Sequence, residues 1–223
     1  MTLISVDTDT PLTRSTKQRP FSKLNKERFN DGEVQDYYGT PEEYSLALLP
    51  YLDEIKEQVG ARFNEPCDGE GGISNVLEEN GWTGLKTDKF SKKKSVDMLT
   101  DFKPNGLTIP NTPFHNKTAF LEVLVNSGAP FCALYPLKSM GQQGFSRQLN
   151  RLNTLAVIVL NKRFPFTTIT GKPVGVEICA WYCGNFPEGY FDKSLYFAFS
   201  TEEGEDDDEF RPVIRDIDGK PWV

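Results

Sequence analysis

The sequence predicts a doubly wound α/β fold, in which a mostly parallel β-sheet lies between helices and ends in antiparallel C-terminal strands. Short β-rich runs alternate with segments of helical spacing, an order typical of βαβ units. The strand-like runs are almost wholly apolar, as expected where helices cover both faces of a sheet. Helical segments stop toward the C-terminus, so the last strands are expected to pair antiparallel.

The first helix is expected to begin near Thr40. The sequence Thr40-Pro41-Glu42-Glu43 has a capping-box pattern with proline at the first helical position, and apolar residues follow at helical spacing. Pro50 should kink or restart this helix because proline lacks the backbone N–H that continues it.

The later elements alternate in the same way. A strand over residues 61–65 should enter the loop EPCDGEGG (Glu65–Gly72), followed by a helix around Ile73, Val76 and Leu77 that stops at Asn80-Gly81, and a strand over residues 82–87 that ends at Asp88. Further strands are predicted over 106–109, 130–135, 155–160, 174–182 and, as the last one, 195–199, with a helix over 116–126 closed by Gly128.

Length and charge predict one domain with two charged ends. The chain has 223 residues and a net charge of -7, and we expect a basic, mobile arm over 1–35, the α/β domain over 36–200 and an acidic segment over 201–223. The acidic run Glu202–Glu209 should be a solvated loop, because its charges repel one another in a packed structure. The basic residues of the arm are Arg14, Lys17, Arg19, Lys23, Lys26 and Arg28.

The sequence predicts no membrane span and no zinc site, and it contains a single histidine. No run reaches the roughly 18–20 apolar residues that a membrane span needs, and the polar start has no signal-like apolar stretch, which predicts a cytoplasmic protein. The four cysteines form no CxxC pair and His115 is the single histidine. We therefore expect buried free thiols and no metal site, and a Ser-His-Asp or Cys-His mechanism would have to use His115.

The glycine loop and Asp88 predict a ligand site. Glycines between a strand and a helix let backbone N–H groups approach a ligand, and Asp88 follows 19 residues after Gly69, at the end of the next strand. A carboxylate there can accept hydrogen bonds from both hydroxyls of a ribose. No GK[ST] signature occurs, which favours a nucleoside over a pyrophosphate. The alternative is a glycine-tolerant turn with a strand-end acid on the surface.

A second cluster lies after the strand at 106–109. Asn111 offers a side-chain carbonyl beside a backbone carbonyl held by Pro113, and Phe114 offers a flat face for a base. Ligands collect at the carboxyl ends of such strands. The alternative is a proline-rich turn that caps the strand.

Taken in order, these motifs resemble a known family. They are Thr40-Pro41, Glu65–Gly72, Asp88, VDML (Val96–Leu99), NTPF (Asn111–Phe114) and LNKRFPF (Leu160–Phe166). Over roughly Asp36 to Asn185, the set is similar to the class I S-adenosylmethionine-dependent methyltransferases that modify exocyclic amines. It resembles especially the small DNA adenine-N6 methyltransferases common in phages. The resemblance implies a Rossmann-like methyltransferase fold and S-adenosylmethionine as cofactor.

The resemblance also implies roles for individual residues. Gly69 and Gly71 would line the methionine part of the cofactor, Asp88 would hold the ribose and Asp97 would approach the adenine ring. Thr40 and Pro41 would lie near the cofactor carboxylate, and the cofactor-binding set also includes Glu65 and Cys67.

The implied substrate site is the segment Asn111, Thr112, Pro113 and Phe114. Asn111 and the carbonyl of Thr112 would accept the two protons of the target amine, Pro113 would hold the turn and Phe114 would stack on the target base. Two departures from the family pattern stand out: Thr112 replaces the usual first proline, and Asp68 replaces a small residue.

The resemblance implies nucleic acid as the substrate, with DNA favoured over RNA. The six basic residues of the arm would then supply attraction to phosphates. Family members that read DNA sequence carry an inserted recognition segment, and here only Leu137–Asn153 is available. Sequence specificity would then be low, or a partner protein would supply target recognition. Two alternatives stay open: a binding or assembly subunit that has lost catalysis, and methylation of another amine or amide such as a glutamine side chain.

Overall fold

A computed structural model describes residues 38–89, 95–160, 162–168, 173–174, 178–192, 194–200 and 212–215. The six basic residues between Arg14 and Arg28 and the acidic run Glu202–Glu209 lie outside the described residues.

The described part of the chain forms two sheets. The smaller, antiparallel sheet consists of β1 (Tyr38–Gly39), β7 (Phe166–Thr168) and β8 (Pro173–Val174), in the order β1-β7-β8. The main sheet has eight strands: β2 (Arg62–Glu65), β3 (Thr83–Lys86), β4 (Leu107–Thr108), β5 (Phe131–Pro136), β6 (Leu155–Leu160), β9 (Cys179–Gly184), β10 (Leu195–Ser200) and β11 (Pro212–Arg215). Their order across the sheet is β11-β10-β6-β9-β5-β4-β2-β3.

Most strands of the main sheet run in one direction. The pairs β2 with β3, β2 with β4, β4 with β5 and β6 with β10 are parallel, whereas β9 pairs antiparallel with both β5 and β6. Strands β2, β3, β4, β5, β6 and β10 therefore end at the same edge, which we call the carboxyl edge. The mostly parallel sheet and its antiparallel C-terminal strands agree with the predicted fold class.

The helices are short and connect the strands. They are α1 (Glu42–Leu48), α2 (Asp53–Gln58), α3 (Ser74–Glu79), α4 (Lys117–Ser127) and α5 (Gln143–Leu149), with 3₁₀ turns at Leu49–Tyr51, Phe114–Asn116 and Leu137–Gly141. Within the described ranges, no helix combines the length and apolar character that crossing a membrane demands.

The two faces of the sheet bury separate cores. Along β5, Cys132 and Leu134 pack with α1, α2 and α3, whereas Phe131, Ala133 and Tyr135 pack with α4 and α5. All six residues of β5 and all six of β9 are buried. Alternate side chains of these strands point to opposite faces of the sheet, and both faces are covered by an apolar core. The sequences of these strands are therefore continuous apolar runs.

The first helix begins where the sequence predicts, but not through a capping box. Helix α1 starts at Glu42 after Pro41, and no side chain caps it. The hydroxyl of Thr40 instead accepts a hydrogen bond from the side chain of Asn111. The chain breaks into a 3₁₀ turn at Pro50, as expected from the missing N–H.

The C-terminal strands differ in detail from the prediction. The single strand predicted over 174–182 is replaced by β8 and β9, which belong to different sheets. The run at 195–199 is not the last strand, because β11 follows and pairs antiparallel with β10. Strand β11 lies within the segment that the sequence assigns to an acidic C-terminus.

Candidate functional site

The glycine loop between β2 and α3 depends on backbone conformations that favour glycine. Gly69 and Gly71 have φ angles of 56° and 83°, in the left-handed region. A Cβ on Gly72 would lie 2.1 Å from the carbonyl oxygen of Thr40, so only glycine lets the two backbones pack this closely. The loop is thereby held against the segment that precedes α1.

Three carboxyl groups meet around this loop. Glu65, at the end of β2, is only 1% exposed, and its Oε1 accepts a hydrogen bond from the Cys67 N–H at 3.0 Å. Its Oε2 is buried, and no described residue forms a hydrogen bond with it. Asp88, after β3, accepts a hydrogen bond from the Gly69 N–H at 3.2 Å, and the hydroxyl of Ser74 donates to Asp68.

Asp88 is buried rather than on the surface. Its residue is 4% exposed, and its Oδ2 holds the backbone of the glycine loop. The strand-end acid considered as a surface alternative is therefore wrong. The carboxylate organises the loop even before any ligand is considered.

The electrostatics of the cluster favour a positively charged ligand. Burial raises the pKa of Glu65 well above its usual range, and the charges of Asp68 and Asp88 raise it further. Burial also raises the pKa of Asp68, although the Ser74 hydroxyl and Lys86 oppose that change. Carboxyl groups in such a place repel one another, and a cation between them would relieve the repulsion.

Asp97 lies on a segment that packs beside the loop. Its Oδ1 accepts a hydrogen bond from the Leu99 N–H at 2.9 Å, and its Oδ2 is 3.7 Å from the Nζ of Lys89. The next residue, Met98, is buried with its sulfur 4.0 Å from that of Cys67. The predicted cofactor residues Cys67, Asp88 and Asp97 thus share one region of the carboxyl edge.

Asn111 joins the two predicted motifs. It follows β4 at the carboxyl edge, and its Nδ2 donates a hydrogen bond to the Thr40 hydroxyl at 2.9 Å. Its Oδ1 is buried and has no hydrogen-bond partner among the residues that the structure describes. Because a buried acceptor without a donor is costly, this oxygen is suited to a donor that arrives with a ligand.

Thr112 has a hydrogen bond where the family pattern has a proline. Its hydroxyl, almost wholly buried, donates to the phenolic oxygen of Tyr135 at 3.2 Å. Tyr135 lies near the end of β5, and burial raises the pKa of its hydroxyl. The hydrogen bond ties the segment after β4 to the neighbouring strand, a restraint that differs from the fixed φ of proline.

Phe114 opens the 3₁₀ turn that follows Pro113. Its ring meets that of Phe166 edge to face, with centroids 6.0 Å apart, and Phe166 in turn packs against Tyr44 at 5.2 Å. These contacts fix the orientation of the half-buried Phe114 ring. His115 follows on the exposed side of the turn.

The structure brings most of the predicted site residues together through backbone and side-chain contacts at one edge. Sequence reasoning missed Tyr135, Ser74 and the contact of Phe166 with Phe114. Tyr135 gives no local signal because its partner is remote in sequence. Phe166 belongs to the LNKRFPF motif, so the sequence did contain a clue to its position near Phe114.

Comparison with known proteins identifies the fold. No protein-family model and no curated protein matches the sequence. A protein from Listeria monocytogenes assigned as a class I S-adenosylmethionine-dependent methyltransferase matches with a TM-score of 0.51 and 11% identity, over 79% of this chain and 69% of the other.

Two further structures are less similar. A protein from Pyrococcus horikoshii assigned as an RNA methyltransferase has a TM-score of 0.49 and 16% identity over 69% of this chain and 89% of its own. The type IIG restriction endonuclease BpuSI has a TM-score of 0.49 and 11% identity over 80% of this chain. The chain spans only 28% of that endonuclease. The Listeria match confirms the predicted fold: the chain has the Rossmann-like fold of class I methyltransferases.

Proposed function

We propose that the protein transfers a methyl group from S-adenosylmethionine to the N6 amine of adenine in nucleic acid, with DNA favoured over RNA. The observation that carries the proposal is the buried Oδ1 of Asn111, which has no hydrogen-bond partner in the described part of the chain and lies one residue before Thr112 and three before an oriented aromatic ring. An exocyclic amine would supply the missing donor.

The proposed methyl transfer depends on hydrogen-bond acceptors for the target amine more than on a general base. The lone pair of an adenine amine is delocalised into the ring, so the nitrogen is a weak nucleophile. Two acceptors, Oδ1 of Asn111 and the carbonyl of Thr112, would hold the two N–H groups and favour a pyramidal nitrogen with its lone pair aimed outward. The hydrogen bond from Asn111 Nδ2 to the Thr40 hydroxyl uses the amide nitrogen and leaves Oδ1 for the amine.

The residues around the glycine loop fit the proposed cofactor. Bound S-adenosylmethionine supplies a methyl group on a positively charged sulfur. Glu65, Asp68 and Asp88 form a cluster of carboxyl groups whose ionised forms repel one another, and Oε2 of Glu65 has no hydrogen-bond partner among the described residues, which suits a ligand that carries cationic groups and hydroxyl donors. Asp88 would hold the ribose, Gly69 and Gly71 would admit the methionine part, and Asp97 would approach the adenine ring. The assignment of the Listeria protein supports this cofactor.

Phe114 would bind the target base by stacking. A base inside a duplex cannot reach Asn111, so it must leave the stack, and an aromatic face offsets part of the lost stacking energy. The edge-to-face contact with Phe166 holds the Phe114 ring in place for this role. Thr40, which precedes Pro41, connects the base site to the glycine loop. Gly72 packs against the carbonyl of Thr40, and the side chain of Asn111 donates a hydrogen bond to the Thr40 hydroxyl.

A second candidate is a binding or assembly subunit that has lost catalysis. Asp68 favours it, because the residue adds a charge to the cofactor loop where the family has a small side chain. The hydrogen bond from Ser74 to Asp68 lowers the cost of that charge, and Thr112 is restrained by Tyr135. Both observations favour the catalytic proposal over the assembly subunit.

Isothermal titration with S-adenosylmethionine and a tritium-transfer assay together test the proposal. We expect binding, and transfer of label to DNA or RNA that digestion to nucleosides recovers as N6-methyladenine. Binding without transfer to any nucleic acid or protein would favour the assembly subunit. Label recovered on glutamine of a protein would favour amide methylation, and absence of binding would overturn the cofactor assignment.

A further inference from the structure

The acidic chain contains a long stretch without acids. No Asp or Glu occurs between Glu122 and Glu177, although the chain has 32 acidic residues in total. This stretch includes β5, β6, α5 and the connections that follow them. Its positively charged residues are Lys138, Arg147, Arg151, Lys162, Arg163 and Lys172.

Four of these cations are exposed on the segments that follow β5 and β6. Lys138 lies in the 3₁₀ turn after β5, Arg147 on α5, and Lys162 and Arg163 just after β6. Strands β5 and β6 run in the same direction as β4, which leads to Asn111. Lys138, Lys162 and Arg163 therefore leave the sheet at the same edge as the proposed substrate site. We call the four residues the basic surface.

Direct contacts connect these segments to the substrate site. The hydroxyl of Thr112 bonds to Tyr135, shortly before Lys138, and the Phe114 ring meets Phe166, shortly after Arg163. At the start of α5, a Cβ on Gly144 would lie 3.4 Å from the Thr118 side chain, at the beginning of α4. The segments that carry the basic surface thus flank the turn that contains Phe114.

The other half of the carboxyl edge has the opposite character in the described residues. Glu65, Asp68 and Asp88 gather at the ends of β2 and β3. The nearby lysines face acids: the Nζ of Lys86 is 2.8 Å from Glu78, and that of Lys89 is 3.7 Å from Asp97. The ends of β2 and β3 are therefore acidic where the cationic cofactor is proposed, whereas the sequence between Glu122 and Glu177, which includes the segments after β5 and β6, contains no acid.

We infer that the basic surface binds the phosphate backbone of the nucleic acid whose adenine is presented to Asn111. The inference rests on the proposed function. Lys and Arg hold phosphates by charge-assisted hydrogen bonds, and such bonds set the position of a strand without reading its sequence. The absence of acids matters in a chain of net charge -7, because a carboxylate among the four cations would repel the polyanion.

Two double variants of the full-length protein test the inference by fluorescence anisotropy with labelled duplex, single-stranded DNA and RNA. They are K162Q/R163Q and K138Q/R147Q. The matched control is R62Q/K103Q, which removes the same charge from exposed residues near the starts of β2 and β4, at the opposite edge. Deletion of residues 1–30 measures the separate contribution of the arm.

We expect each basic-surface variant to weaken binding on the order of tenfold at 50 mM salt. The slope of log affinity against log salt should fall by about one for each phosphate that the variant no longer binds. The control should match the wild type. Equal curves for all three double variants, or no nucleic-acid binding by the wild type, would overturn the inference.

Binding and methyl transfer are measured separately, so the two proposals fail separately. If the basic-surface variants weaken binding while the wild type methylates no nucleic acid, phosphate binding by the basic surface stands and the proposed function fails. If the wild type methylates adenine and the variants match the control, the proposed function stands and the inference fails. Tighter binding of an acidic protein than of any nucleic acid through the same four residues would also overturn it.

Discussion

The hydrogen bond between Thr112 and Tyr135 is the residue-scale feature that most separates this chain from the family pattern. A proline restrains its own backbone without help from elsewhere, whereas Thr112 depends on a phenol from the next strand. The bond is buried, so either partner left alone would lose a hydrogen bond that water cannot replace. We therefore treat Tyr135 as a positioning residue for the substrate site.

A double-mutant cycle tests this role. Thr112→Val and Tyr135→Phe should each lower the free energy of unfolding by about 1–3 kcal/mol, and the double variant by less than their sum, because it leaves no unpaired group. Each single variant should slow methyl transfer while leaving the affinity for S-adenosylmethionine unchanged. Tyr196→Phe is the control. It removes a hydroxyl that donates a hydrogen bond to Asp192, and both residues are far along the chain from Thr112 and Tyr135.

Chemical denaturation and single-turnover assays supply the two readouts. Amide hydrogen exchange over residues 110–116 supplies a third that needs no activity, and we expect faster exchange in both single variants. Strictly additive stabilities, together with unchanged exchange, would contradict the positioning role.

Glu65 illustrates a residue whose charge opposes folding. Burial raises the pKa of Glu65 well above the usual carboxyl value. At pH values between the two pKa values, the folded protein therefore keeps a proton that the unfolded chain has lost. This linkage makes the contribution of Glu65 to stability fall as the pH rises above about 4.3, the usual value for a glutamate. Glu65→Gln keeps an acceptor for the Cys67 N–H and removes the titration.

We expect Glu65→Gln to raise the free energy of unfolding at pH 7 by on the order of 1–3 kcal/mol, and to have little effect near pH 4. Denaturation curves at the two pH values measure the difference. The exposed Glu188→Gln is the matched control, and it should change stability little at either pH. A loss of stability at pH 7, or a gain independent of pH, would contradict the account. The same substitution should weaken binding of the cationic cofactor.

At the scale of elements, the close approach of the glycine loop to the start of α1 holds the site together. Gly72 meets the Thr40 carbonyl, and the Ser45 hydroxyl on α1 donates to the Gly72 carbonyl at 3.2 Å. The indole N–H of Trp181 on β9 also donates to the backbone of Tyr44, at 2.7 Å. Helix α1 is therefore fixed to both the loop and the sheet.

Gly72→Ala tests this packing. The added Cβ would fall 2.1 Å from a backbone oxygen, so the loop must move, and we expect a loss of about 1–3 kcal/mol in stability with weaker cofactor binding. Gly141→Ala is the control, because nothing lies within 4 Å of its Cβ position. Urea denaturation and calorimetric titration of both variants measure the effect. Equal behaviour of the two would contradict the packing argument.

Sequence patterns predict elements better than they predict contacts between them. The strand–glycine loop–helix–strand order over residues 61–88 and the end of α4 at Gly128 are local signals, and both agree with the structure. The expected capping by Thr40 is wrong because Pro41 occupies the N-cap position, and the Thr40 hydroxyl instead contacts a remote residue, Asn111. The burial of Asp88 and the Tyr135 contact depend on how distant segments pack, which no local pattern encodes.

At the scale of the whole molecule, the charges are arranged around the carboxyl edge. Strand β10 ends at this edge and Ser200 pairs with Pro212, so both ends of the segment that carries the acidic run lie there. That segment begins beside β6, whose end leads to Lys162 and Arg163. The acidic run is thus joined, through Ser200 and Pro212, to strands that meet this edge, and we expect it to compete with nucleic acid for the basic surface.

Neutralising the acidic run tests the competition. Replacing the acids between Glu202 and Glu209 by their amides should tighten nucleic-acid binding, and the gain should shrink as salt rises, because the competition is electrostatic. Anisotropy titrations at two salt concentrations measure both effects. Unchanged or weaker binding would place the run outside the competition and contradict this account.

Asn111 is proposed to bind the target amine and not the cofactor. The measurement that tests it most directly compares wild type and Asn111→Ala for S-adenosylmethionine affinity and for the rate of label transfer to adenine in nucleic acid. We predict nearly equal cofactor affinity, with transfer slowed on the order of 10²–10³-fold by the loss of one oriented acceptor. Unchanged transfer in a variant that still binds the cofactor would contradict the claim.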